Sequence, residues 1–308
     1  MMKCKKCGER ASIKMTQHNM ALCQEHFLDW LPQHTQRTIE KFRMFTPDDK
    51  VLVAVSGGKD SLALWDVLLG LGYRTDGIYI DLGITDPQSG LPYSAKSKKY
   101  SLQFAEQHNL NLHIVDMKQE YGETITEINH RVRHGRQKPC SICGLVKRHI
   151  LNEVTREGGY PVLVTGHNLD DEAATLFGNT LTWTVDLLQR QAPLLPAMSG
   201  FARKAKPFCK LYERETAAYA LMRNIAYVYE ECPFAGGART IQHKKLLNQL
   251  EKRSPGTKMQ FYGNFLKARE ELFAVERQPI LPEEHCPVCG QPTHSGQLCA
   301  FCRLVGKM

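Results

Sequence analysis

Apolar positions along the chain fall into short runs separated by longer amphipathic stretches. Val51–Val55 is a continuous apolar run, and the leucine-rich stretch Leu62–Leu69 follows it closely. The pair reads as a buried parallel strand and the helix after it. The alternation returns downstream: Gly77–Ile80, Leu112–Val115, Val162–Val164 and Ala226–Tyr229 predict strands. Helices are predicted around Lys98–Gln107, Gly144–Thr155 and Asp170–Phe177. Such alternation predicts an α/β fold, a parallel sheet with helices on both faces and ligands at the carboxyl ends of its strands.

One of those ends is unusual in chemistry. Between the first strand and its helix runs Ser56-Gly57-Gly58-Lys59-Asp60-Ser61. A Walker loop requires a longer glycine frame and a hydroxyl residue after its lysine; here Asp60 follows Lys59. The dinucleotide fingerprint of three spaced glycines is absent as well. What remains is a short nest whose amides point at an anion at a helix N-terminus. Ser56 and Ser61 add hydroxyl donors and Lys59 adds charge. A plain Gly-Gly turn is the alternative, and the flanking strand and helix disfavour it.

Composition narrows the class. The 308 residues are 42% hydrophobic and 23% charged, as in an ordinary globular protein. No run reaches the roughly 20 apolar residues of a membrane span, and no secretion signal is visible, so a cytoplasmic protein with no membrane partner is expected. A formal net charge of +8 favours a polyanionic partner such as RNA. Eleven cysteines in such a chain point to metals rather than disulfides. Cys4, Cys7, Cys23 and His26 form one set of two chelating pairs, and Cys286, Cys289, Cys299 and Cys302 form another. Four soft ligands each suit tetrahedral, structural Zn2+ with no open position. Cys140-x2-Cys143 stands in the middle, with single Cys209 and Cys232 downstream.

The loop resembles the PP-loop of the N-type ATP pyrophosphatases, which release pyrophosphate and pass AMP to a substrate. In that setting Asp60 has a purpose, helping to hold Mg2+ that bridges the phosphates. Pro-Cys140-Ser-Ile-Cys143-Gly-Leu-Val-Lys147, Thr165-Gly-His-Asn-Leu-Asp-Asp171-Glu and Glu231-Cys232-Pro233, with both quartets, are similar to the tRNA 2-thiolation proteins. The two quartets match the branch that acts at T-loop position 54 especially well. The resemblance implies a [4Fe–4S] cluster on Cys140, Cys143 and Cys232, three thiolates leaving one iron open. It implies Lys59, Asp60, Lys147 and Asp171 as catalytic residues, and Ala54, Val55, Ser56, Gly57, Gly58, Ser61, Ile80 and Gly166 around ATP. It also implies tRNA as substrate, a ubiquitin-like thiocarboxylated sulfur-carrier protein as donor, and a homodimer. The corresponding layout is an N-terminal zinc finger at 1–30, a Rossmann-like PP-loop catalytic domain at 31–238, a helical segment at 239–280 and a C-terminal zinc finger at 281–308.

Spacing alone leaves choices open. The central cysteines suit a redox pair or a third zinc site as well as iron. Asp170 and Asp171 suit simple helix capping, and Cys209 suits a small core residue. The expected activity is ATP-dependent tRNA uridine 2-sulfuration. Wobble-uridine or anticodon-loop cytidine thiolation, a small-molecule amide synthetase on the same fold, and a non-catalytic RNA-binding zinc protein are the competing readings.

Overall fold

The computed structural model describes residues 2–86, 90–132, 139–198, 200–236, 238–272, 284–293 and 297–306. A ribbon of β1 (Ile13–Met15) and β2 (Met20–Leu22) leads into α1 (Gln24–Lys41). The central units are β3 (Lys50–Val55), α2 (Lys59–Gly70), β4 (Arg74–Asp81), α3 (Tyr93–Gln107), β5 (Leu112–Asp116), α4 (Met117–Tyr121), α5 (Ile125–Val132) and α6 (Pro139–Glu157). They continue through β6 (Val162–Thr165), α7 (Leu169–Leu181), α8 (Val185–Arg190), β7 (Leu194–Leu195), β8 (Lys204–Ala205) and α9 (Glu213–Met222). Then come α10 (Arg239–Arg253), α11 (Thr257–Leu272), a second ribbon of β9 (Glu284–His285) and β10 (Pro292–Thr293), and α12 (Ala300–Leu304). The boundary expected at 280/281 lies outside the described residues.

The central sheet has the order β5-β4-β3-β6-β8-β7, parallel throughout except where β7 runs against β8. Chain order reverses between β3 and β6, so the loop after β3 sits at the switch point where a parallel sheet opens a crevice for ligands. Side chains of β3 alternate between two cores, as a strand buried on both faces requires. Val51, Val53 and Val55 join one core with Leu62, Leu64 and Phe27. Leu52 joins the other with Ile142, Val146 and Ile150 of α6. The first ribbon's Ile13, Met15 and Leu22 complete the former core, and Phe301 of α12, beside the second ribbon, completes the latter.

One expected strand is absent. Ala226–Tyr229 does not enter the sheet. The place beside β6 is taken by β8, which pairs Lys204 with Leu163 and Ala205 with Val164. The 226–229 segment runs instead past the loop after β3, where the Val228 N–H donates to Gly57 O at 3.0 Å. Tyr227 and Val228 are buried there while Ala226 and Tyr229 are exposed.

Candidate functional site

The loop 56–61 closes tightly on itself. Ser61 Oγ donates to Gly58 O at 3.0 Å and receives the Ser56 N–H at 3.1 Å. Gly57 has φ +73°, and a Cβ there would come within 2.3 Å of the Ser97 carbonyl oxygen, so both conformation and space require glycine. Gly166, after β6, lets its backbone approach that of Asp60 and Ser61. The result is a helix N-terminus whose free amides face a cleft.

That cleft has a volume of about 260 Å3. Ala54, Val55, Ser56, Gly58 and Ile80 line it, as expected for nucleotide-facing positions, and Cys143, Lys147 and Cys232 line it too. Gly57, Ser61 and Gly166 shape the loop without lining the cleft. Thus the phosphate nest and two of the three central cysteines open on one space. Burial pushes the Cys232 thiol up, and the charges of Cys143 and Cys140 push the same way while Lys147 opposes them. Cys140 is exposed at the edge, its Sγ donating to Phe234 O at 3.1 Å.

A line of alternating charge begins at the loop. Lys59 Nζ lies 2.9 Å from Asp60 Oδ2 and 2.9 Å from Glu213 Oε1. Lys244 Nζ lies 3.0 Å from Glu213 Oε2 and 2.6 Å from Asp171 Oδ1. Burial works against the charge of Lys59, but Asp60 and Glu213 outweigh it and hold the ammonium above its usual range. Burial likewise raises the Asp60 carboxyl despite Lys59 and the Thr216 hydroxyl. For Glu213 burial is overcome by Lys244 and Lys59, which hold it down at about 2.

The first turn of α7 explains how these groups are fixed. Asn168 caps the helix by accepting the Asp171 N–H, while Asp171 Oδ2 accepts the Asn168 N–H, a reciprocal capping box. Asp171 therefore caps a helix and also holds Lys244. Each acid of this turn has its own lysine: Lys258 for Asp170 at 2.5 Å, Lys244 for Asp171, and Lys206 for Glu172 at 2.8 Å. Asp170 also accepts the Glu213 N–H at 2.9 Å and so locks α9 against α7. Of the expected catalytic residues, Lys59, Asp60 and Asp171 meet along this line, and Lys147 stands apart with the cysteines. Sequence reasoning missed Glu213, Thr216 and Lys244. They carry no motif and lie far along the chain from the loop.

The quartets behave as single-ion sites. In each, one donor atom per residue lies within 4.8 Å of the others. Cys7 and Cys23 Sγ are 3.8 Å apart, Cys289 and Cys299 Sγ 3.7 Å apart, and His26 turns Nδ1 to Cys4 and Cys23 at 3.6 and 3.1 Å. Those separations suit a tetrahedral ion with metal–sulfur bonds of about 2.3 Å. Burial opposes ionisation of Cys286, yet backbone N–H groups of Cys299, Cys289 and Val288 hold it down at about 6. Among the described residues, Cys140, Cys143 and Cys232 do not draw together in this way. Cys209 is fully buried in the core, where burial pushes its thiol up to about 12. No described helix is long and apolar enough to cross a membrane.

Comparison with known proteins agrees with this geometry. Residues 3–28 match the family described as 2-thiouridine synthetase TtuA, N-terminal LIM domain, and residues 31–232 match the PP-loop domain. The chain is 46% identical to a tRNA-5-methyluridine(54) 2-sulfurtransferase of Thermus thermophilus, over 98% of this chain and 91% of that one. It is 42% identical to a protein of the same name from Pyrococcus horikoshii, over 99% and 94%. A solved structure, the U34-tRNA thiolase NcsA from Methanococcus maripaludis with its [4Fe-4S] cluster, superposes with a TM-score of 0.81 at 25% identity, covering 100% of this chain and 97% of that one.

Proposed function

Because the chain belongs to the TtuA-like PP-loop tRNA 2-thiouridine synthetase family, we propose that it is an ATP-dependent tRNA 2-sulfurtransferase acting on the T-loop uridine at position 54. The observation that carries this reading is one cleft lined by the anion nest and by Cys143, Cys232 and Lys147. The C2 carbonyl of uracil is a poor electrophile. Transfer of AMP to its oxygen releases pyrophosphate and creates a leaving group; a sulfur nucleophile then forms the C2–S bond as the C2–O bond breaks and AMP departs.

Each step draws on residues of the chain. The loop amides with Ser56 and Ser61 hold the phosphates, and Lys59 stabilises charge on departing pyrophosphate. Asp60 Oδ1 accepts from the Thr216 hydroxyl and the Asn168 amide, and Oδ2 accepts from Lys59. Magnesium, which usually takes one or two carboxylates plus phosphate oxygens, would be held through Oδ2. Lys147 is the cation for charge developing between the α-phosphate and the C2 oxygen. Asp171, fixed by its capping box in the first turn of α7, holds Lys244 of α10. Cys140, Cys143 and Cys232 would hold a [4Fe–4S] cluster, which supplies an iron with an open position for a sulfur ligand.

Both quartets would hold zinc as structural staples. The sulfur would come from the thiocarboxylated C-terminus of a ubiquitin-like carrier, and the enzyme would work as a homodimer in the cytosol. All of these finer features follow from the family resemblance. The direct test is anaerobic reconstitution with iron and sulfide, then incubation with ATP, a sulfide source and unmodified tRNA. AMP, pyrophosphate and a 2-thiolated T-loop nucleoside are the expected products by chromatography and mass spectrometry. ADP as the coupled product would remove the protein from this class.

A further inference from the structure

Asp60, Lys59, Glu213, Lys244 and Asp171 form one line of alternating charge with links of 2.9, 2.9, 3.0 and 2.6 Å. Glu213 is its centre, each of its two oxygens taking one ammonium. Three carboxylates face two ammoniums, so the line carries a net negative charge. As it stands it is a poor receiver for a polyphosphate, although it lies against an anion nest. A carboxylate that bridges two lysines beside such a nest occupies the role of a phosphate oxygen.

The neighbouring ion pair shows what a purely structural link looks like in this protein. Lys258 and Asp170 are sealed, with side chains 4% and 6% exposed, and Lys258 is further held by Asn248. Lys244 and Glu213 are 23% and 36% exposed. They are partly open to solvent, and a lysine on a flexible stem can move its charge by rotation alone. Lys244 also comes from α10, beyond residues 31–232 that match the PP-loop domain.

We propose that Glu213 is a built-in anion that holds Lys59 and Lys244 until the pyrophosphoryl part of ATP displaces it, and that Lys244 is a second pyrophosphate-binding cation supplied by the C-terminal helical segment. The proposal rests on the PP-loop reading above. It assigns α10 a part in the chemistry as well as in packing. It also explains why a lysine-rich helix is docked on the acidic turn of α7.

The test is a binding titration of the full-length reconstituted protein with inorganic pyrophosphate in chelator, and separately with AMP. Lys244→Met is expected to bind pyrophosphate about tenfold to a hundredfold more weakly, as loss of one charge-assisted contact implies, with AMP affinity unchanged. Lys244→Arg should restore most of it. Glu213→Gln should bind pyrophosphate tighter, by about threefold to tenfold, because the competing carboxylate is gone. A structural role for Glu213 gives the opposite sign. Wild-type pyrophosphate affinity in Lys244→Met, or weaker binding in a folded Glu213→Gln, overturns the proposal. A wild-type protein that binds no pyrophosphate overturns it together with the PP-loop reading.

Discussion

The two terminal ribbons share a four-donor plan but cover opposite faces of the sheet, and each reaches a different half of the site. The N-terminal ribbon touches α9. Gln17 Nε2 donates to Glu215 Oε1 at 2.6 Å, His18 Nε2 lies 3.1 Å from the same oxygen, and Arg214 donates to Lys14 O. Glu213 and Thr216, which engage Lys59 and Asp60, stand on that helix. The C-terminal ribbon touches α6. Phe301 stacks on His149 at 3.8 Å, and Gln291 donates to His149 O at 3.1 Å. Cys140, Cys143 and Lys147 stand on that helix. A staple therefore supports whichever chemistry lies on the helix it covers. The pyrophosphate half depends on the first ribbon and the cysteine half on the second.

Breaking the second ribbon's contact gives the largest expected effect. Phe301→Ala removes a side chain that is 1% exposed and should destabilise the ribbon by about 3–5 kcal/mol. Iron content after anaerobic reconstitution should fall to below about half of wild type, while pyrophosphate affinity stays within about twofold. A parallel loss of both would dissolve the division between halves.

Acid should act on the first half. His34 on α1 is half-buried against Trp30, their rings 4.9 Å apart. Burial, then the charges of His18, Lys210 and Arg37, hold its imidazole down at about 4 against an ordinary 6.5. The folded state thus resists a proton that the unfolded chain accepts. Stability is complete above pH 6.5 and is lost as pH falls towards 4, by about 3 kcal/mol at most. Urea unfolding of wild type and His34→Gln across that window should show a steeper decline in wild type. Equal slopes would remove His34 from the account.

The smallest effect belongs to the hook itself. Gln17→Ala leaves the buried Glu215 short of one donor, costing about 1–2 kcal/mol. Pyrophosphate binding should weaken a few-fold with iron content unchanged, measured by the same titration and by metal analysis. An iron loss here would mean that the ribbons do not act separately.

Much of this was legible in the chain. Val51–Val55 and the loop after it announced themselves by a sustained apolar run meeting Gly-Gly-Lys, and the quartets by paired spacing. Both signals are local. The ion-pair line is not local: Glu213 and Lys244 look like ordinary surface charges until α9 and α10 bring them to Lys59. The Ala226–Tyr229 segment misled because a short apolar run records burial of some side chains, here Tyr227 and Val228, and says nothing of a hydrogen-bonding neighbour. The strand that does border β6 is two residues long and begins with Lys204, too short and too polar for any periodicity to register. Asp171 was found by resemblance, but its partner Lys244 needed the fold.

The order of the central sheet also sets a timetable for synthesis. Val51 pairs on one side with Thr75, which follows soon after, but on the other with Val162. At about 5–20 residues per second, Lys59 leaves the ribosome on the order of ten seconds before Lys244 does. Until β6 is made, the nascent chain carries an apolar strand with one unpaired edge, the kind of surface that recruits other strands. Until Lys244 follows, the ion-pair line on Glu213 lacks one of its two ammoniums. Lys244, on α10, is therefore the last member of the ion-pair line to be made.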